Sequence, residues 1–66
     1  MIVYTKPGCP YCAALKQDLD ARGVAYDEVD VFAVPGAAEK VEQLTGMRVV
    51  PVVVDGDRVE AAPEGG

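Results

Sequence analysis

The sequence predicts an α/β fold with elements in the order β-α-β-α-β-β. Three observations predict it. Short apolar runs at Ile2-Val3-Tyr4 and Val49 to Val54 have the length and β-branched content of strands. Two segments, from about Pro10 and from Pro35-Gly36, carry apolar residues at helical spacing. Asp55-Gly56 between two strand-like runs is a hairpin turn signal.

The elements follow in order. Ile2-Val3-Tyr4 is continuously apolar, as in a central strand covered on both faces. Lys6-Pro7-Gly8 reads as a tight connection. The first helix opens near Pro10, where a missing N–H costs nothing. It carries Cys12, Leu15 and Leu19 on one side and Lys16, Gln17, Asp18, Asp20 and Arg22 on the other, and Gly23 closes it at C′. Val24 to Val31 reads as a second strand. Its mixed pattern and three acids suggest an edge. The β-α-β unit so formed has a right-handed crossover. In the second helix Ala37, Val41 and Leu44 share a face opposite Glu39, Lys40, Glu42 and Gln43, with Gly46 as the stop. Val49 to Val54 is the third strand. Arg58 to Ala62 returns as the fourth, Pro63 ends it, and 63–66 form a frayed tail. Tyr4 and Phe32 read as core or core-edge aromatics.

Size and charge narrow the function. Sixty-six residues form one small domain, 1–66. A chain of this length buries only about 60% of its unfolded surface. The net charge is −5 with no basic cluster, which excludes nucleic acid as a partner and fits a solvated acidic surface. No apolar run approaches the roughly 20 residues of a membrane span, and no signal-peptide pattern is visible. A cytoplasmic, monomeric protein without membrane association is expected.

Cys9-Pro10-Tyr11-Cys12 holds both cysteines of the chain. Its position after a strand and a tight connection puts Cys9 at the free N–H groups of a helix, where the dipole favours an anion. A thiolate is such an anion and is the reactive form of cysteine. Cys9 is therefore expected to have a lowered pKa. Cys12, one turn on, is placed to resolve a mixed disulfide. Lys6 is a second source of stabilisation, and no histidine exists to act as a base. Other readings stay open. A structural disulfide over so short a loop would constrain the unfolded chain little. Zinc or iron–sulfur sites usually need four ligands, so two cysteines would require a second chain or added glutathione thiols. A module that only binds peptides is the third. Lys6 and Arg48 also read as plain surface charges, and Tyr11 as a cover for the helix end.

Tyr4-Thr5-Lys6 followed by Cys9-Pro10-Tyr11-Cys12, with Val50-Pro51 entering the third strand, resembles the glutaredoxins and, more broadly, the thioredoxin fold, over roughly residues 1 to 60. The resemblance implies a four-stranded mixed sheet, the first two strands parallel and the last two an antiparallel hairpin. It implies a cis Val50-Pro51 bond beside Cys9, although proline base rates favour trans. It implies a thiol–disulfide oxidoreductase with Cys9 as nucleophile and Cys12 as resolving thiol, supported by Lys6, Pro10 and Tyr11. Lys6, Tyr11, Arg48, Val50 and Pro51 would line a groove for glutathione, the cations meeting its carboxylates and the Val50 backbone pairing with the peptide. No tightly bound cofactor and no resident metal are implied. Glutathione would be the cosubstrate and disulfide-containing proteins the partners. The alternatives are reduction by a thioredoxin-reductase-like flavoprotein, and a non-enzymatic iron–sulfur or metal carrier bridging two chains. Two departures stand out. Val49 replaces the threonine of the usual Thr-Val-Pro, and the Gly-Gly-polar-Asp stretch and final helix are missing, Gly65-Gly66 coming late. The usual anchor for the γ-glutamyl end of glutathione is thus expected to be lacking.

Overall fold

The computed structural model describes residues 1–61. The elements are β1 (Ile2–Thr5), α1 (Pro10–Ala21), β2 (Asp27–Asp30), α2 (Ala37–Thr45), β3 (Val52–Asp55) and β4 (Arg58–Ala61). They form one four-stranded mixed sheet in the order β2-β1-β3-β4. β1 pairs in parallel with β2, Tyr4 opposite Val29, and antiparallel with β3, Tyr4 opposite Val52. β3 and β4 form the hairpin, with Val53 opposite Glu60. The expected end of β4 at Ala62 and the expected tail 63–66 lie outside the described residues.

The order explains the apolar patterning. β1 has a neighbour on each side, and Val3, Tyr4 and Thr5 are all buried. β2 lies at the edge, as its acids suggested, with Asp27 and Glu28 exposed. Alternate β1 residues face opposite sides of the sheet. Tyr4 joins Val52, Ala37 and Val41 in one buried cluster with Cys9, Cys12 and Val50. On α1, Cys12 and Leu19 are buried and Leu15 is half-buried.

Glycine closes both helices. The Gly23 N–H donates to the Asp20 carbonyl at 3.1 Å and the Val24 N–H to the Leu19 carbonyl at 3.0 Å. This is the 5→2 and 6→1 pair of a Schellman end, and Gly23 has the positive φ of 70° that it requires. Gly46 closes α2 in the same hand, with its N–H on the Glu42 carbonyl at 2.8 Å.

Three boundaries differ from expectation. Strand 2 starts at Asp27 rather than Val24, because the Val24 N–H is used to close α1. It ends at Asp30, whose carboxylate accepts the Phe32 N–H at 2.8 Å and the Ala33 N–H at 3.3 Å, turning the chain out of the sheet. That turn leaves Phe32 73% exposed, so it is not a core aromatic. Strand 3 starts at Val52 rather than Val49, because Pro51 has no N–H for the ladder, and it continues through Asp55. The Val50-Pro51 bond is cis, as the resemblance implied and against the base rate.

Candidate functional site

Cys9 is the N-cap of α1. Its backbone is extended (φ −88°, ψ 112°) while its carbonyl already accepts the first helical bond, from the Ala13 N–H at 3.2 Å. Pro10 occupies the first turn and supplies the helical φ without needing an acceptor. The Cys12 N–H, one of the donors that a helix start leaves free, donates to the Cys9 Sγ at 3.3 Å. A sulfur takes the place usually filled by a serine or aspartate oxygen.

Both cysteines are free thiols. Cys9 is 6% exposed and Cys12 2%. They are more enclosed than an exposed helix start would suggest, but both border an open cleft of about 330 Å³. Thr5, Lys6, Lys16 and Glu28 form its polar wall. The Cys12 thiol is pushed up to about 11, first by burial and then by its hydrogen bond to Cys9. The Cys9 charge adds to this, whereas the Lys6 backbone and the Lys16 ammonium pull the other way.

Of this wall only Lys6 is legible in the sequence as part of a site; Lys16 reads as a solvent-side residue of α1. Its Nζ lies 3.0 Å from the Glu28 Oε2, with the lysine side chain 35% exposed. The buried Thr5 donates its hydroxyl to the same oxygen at 2.8 Å. These two donors hold the Glu28 carboxyl below its ordinary range, and Glu28 in turn raises Lys16. The one available sequence clue is that Lys16 follows Cys12 by four residues, one helical turn.

The expected glutathione groove is brought together in part. Lys6 and Arg48 share a smaller pocket of about 140 Å³ with Phe32, Val41, Val49 and Val50. Val50 and Pro51 are buried, and Val50 belongs to the same cluster as both cysteines. Tyr11 is 49% exposed and borders a separate pocket, where it meets Pro51 of the expected groove together with Leu15 and Ala61. Arg48 donates from Nε to the Glu42 Oε2 at 2.7 Å, and this carboxylate raises the guanidinium further. Among the described residues no group of three or more His, Cys, Asp or Glu side chains could hold a metal ion, and no helix is long and apolar enough to cross a membrane.

The chain is similar to known proteins in sequence and in fold. A family model for glutaredoxin matches residues 1–59. A glutaredoxin from Neisseria meningitidis serogroup B is 46% identical over 56 residues, which are 83% of this chain and 66% of that protein. The glutaredoxin-like protein NrdH of Escherichia coli K12 is 38% identical over 55 residues, 83% of this chain and 67% of that protein. The matched stretch thus spans just under two thirds of the Neisseria protein's length. Among solved structures, glutaredoxin grx-1 from Archaeoglobus fulgidus superposes with a TM-score of 0.81 at 29% identity, covering 91% of this chain and 71% of that one. NrdH-redoxin from Escherichia coli gives 0.81 at 35% identity, covering 91% and 78%. The fold is thioredoxin-like, and with nearly every described residue matched by the family model the chain belongs to the glutaredoxin family.

Proposed function

We propose that the chain is a thiol–disulfide oxidoreductase working through the Cys9–Cys12 dithiol. The observation that carries this reading is the Cys12 N–H directed at the Cys9 Sγ, a donor that is worth most when the sulfur is an anion. Cys9 is the nucleophile. Its thiolate attacks one sulfur of a substrate disulfide, forms a mixed disulfide and releases the first substrate thiolate. Cys12 then loses its proton and attacks the Cys9 sulfur. The second substrate thiolate leaves, Cys9–Cys12 is oxidised, and two electrons have passed to the substrate. The raised pKa of Cys12 keeps that thiol protonated while Cys9 carries the charge, which fixes the order of the two attacks.

Two readings of the electron source are each favoured by an observation. Glutathione is favoured by the pocket that Lys6 and Arg48 share beside Val50, two cations next to a backbone able to pair with a short peptide. A thioredoxin-reductase-like flavoprotein is favoured by the engagement of Arg48 with Glu42, by the separation of Tyr11 from the cationic pocket, and by likeness to a redoxin described as having a thioredoxin-like activity profile. Disulfide-bearing proteins are the partners in both, and the setting is the cytoplasm.

One coupled assay tests the reading. The chain is given a protein disulfide and either glutathione with its reductase or thioredoxin reductase with NADPH. Turnover with glutathione assigns the first source, and turnover with the flavoprotein alone assigns the second. Turnover that survives Cys9→Ser would overturn the dithiol mechanism itself.

A further inference from the structure

The resolving step leaves a question of charge. Cys12 must ionise inside a buried site, 2% exposed, whereas in the reduced protein its thiol is held high. Two of the causes that hold it there are the hydrogen bond to Cys9 and the Cys9 charge. Both disappear once Cys9 is tied up in a mixed disulfide. Burial then remains as the opposing effect, and something must offset it.

The wall of the cleft supplies a candidate. Lys16 lies one turn after Cys12 on α1, and both line the same 330 Å³ cleft. A lysine side chain 35% exposed would ordinarily sweep through solvent. Here its ammonium is tethered at 3.0 Å to Glu28, and the Glu28 carboxylate is tethered in turn at 2.8 Å to the buried Thr5 hydroxyl. β1, β2 and α1 thus each contribute one group to a chain that ends at the cysteine cleft.

Accepting the dithiol reading above, we infer that Lys16 is the electrostatic partner of Cys12 in the resolving step, with Glu28 and Thr5 as the positioning residues that hold its ammonium at the cleft. Among the described residues the charged and titratable groups around Cys12 are Cys9 at the helix start, Lys6 in the preceding loop, Lys16 on α1, Glu28 on β2 and Tyr4 on β1, with Tyr26 beside Glu28. Lys16 opposes the burial of a Cys12 thiolate. Its carboxylate partner limits the effect, because a charge already paired acts more weakly on a third group. The expected influence on the rate is therefore about three- to tenfold rather than hundreds.

A neutral disulfide probe, 2,2′-dipyridyl disulfide, separates the steps on the full chain. Attack by Cys9 releases one pyridine-2-thione, and resolution by Cys12 releases a second, both read by stopped-flow absorbance across pH. In Lys16→Gln the ratio of the second rate to the first at pH 7 is expected to fall about three- to tenfold, with the pH midpoint of the second phase moved upward. Lys16→Arg is expected to recover most of the ratio. A ratio and midpoint equal to those of the unmodified chain would overturn the inference while leaving two-step exchange intact. The double variant Lys16→Gln/Glu28→Gln guards against a simpler cause. It stays slow if Lys16 itself acts on Cys12. A return to the original ratio would mean that the single variant had only unmasked Glu28, which would also overturn the inference. Loss of the second release in the unmodified chain, or a first release that survives Cys9→Ser, would instead sink the dithiol reading.

Discussion

The backbone N–H of Cys12 points at the sulfur of Cys9 across 3.3 Å, within the first turn of α1. The backbone of one residue thus offers a hydrogen-bond donor to the sulfur of the other, while burial and that same neighbour keep its own thiol protonated. The two thiols of a symmetrical-looking motif are made chemically unequal by position alone.

That inequality predicts the pattern of alkylation. A thiol near pKa 11 is ionised to about one part in ten thousand at pH 7. Iodoacetamide at neutral pH should therefore modify the reduced chain at Cys9 and leave Cys12 intact, as read by peptide mapping. Comparable labelling of both sites would remove the basis for assigning distinct roles.

The same shift has a consequence for stability. Cys12 has an ordinary value of 9.0 and a folded value of about 11, so the fold favours its protonated form. The contribution is present in full below pH 9 and is lost as pH rises from 9 to 11. It is about 3 kcal/mol. The urea midpoint of the reduced chain should fall over that window, and Cys12→Ser should flatten the fall. An equal fall in the serine variant would assign it to other groups.

Replacing Cys12 with Ser should also interrupt exchange at its midpoint. Cys9 can still attack, but nothing displaces the adduct, so a mixed disulfide accumulates and is visible as added mass on a Cys9 peptide. If Cys9→Ser traps the adduct and Cys12→Ser does not, the two roles are reversed.

Gly23 offers a backbone test. A Cβ there would meet nothing within 4 Å, so its penalty is conformational alone, set by the φ of 70°. Gly23→Ala should cost about 1–2 kcal/mol in urea unfolding without altering exchange at the cysteines. A neutral substitution would mean that α1 can close without a left-handed residue.

The features legible in the sequence are those that leave a periodic or local trace. The Ala37, Val41, Leu44 face marks α2 because core-facing helical residues repeat every three or four positions. Gly23 and Gly46 mark helix ends because few other residues adopt a positive φ. The cysteine pair is local and could be placed at a helix start directly. Val24 misled because an apolar side chain looks the same whether its N–H enters a ladder or closes a helix. Phe32 misled because an aqueous aromatic differs from a core one only through the turn that Asp30 imposes. The Lys16–Glu28 pair spans twelve residues and Arg48–Glu42 six, and neither spacing follows from any repeat. Such pairs exist only once the sheet order is known. The cis bond at Pro51 came from resemblance, since no property of the residues themselves favours it over trans.

The tether that holds Lys16 at the cleft can be tested through its buried end. Thr5 is 2% exposed, and its hydroxyl donates to the Glu28 Oε2 at 2.8 Å. Valine has nearly the same shape, so Thr5→Val removes the donor without opening a cavity. Glu28 keeps Lys16 and solvent as partners, which limits the loss to about 1 kcal/mol. In a domain of this size that corresponds to a drop of roughly 4–8 °C in Tm. Acid should reveal the same contact. Thr5 and Lys16 together hold the folded Glu28 below its ordinary value of 4.5, so its contribution is present above that pH and is lost as pH falls through the depressed folded value. Thr5→Val removes one of the two causes, and the acid-side loss of stability should become shallower. Thr5→Ser keeps the hydroxyl and should restore the acid dependence even if it packs less well. A valine variant as stable as the original, with an unchanged acid limb, would show that the hydroxyl does not hold Glu28 in place.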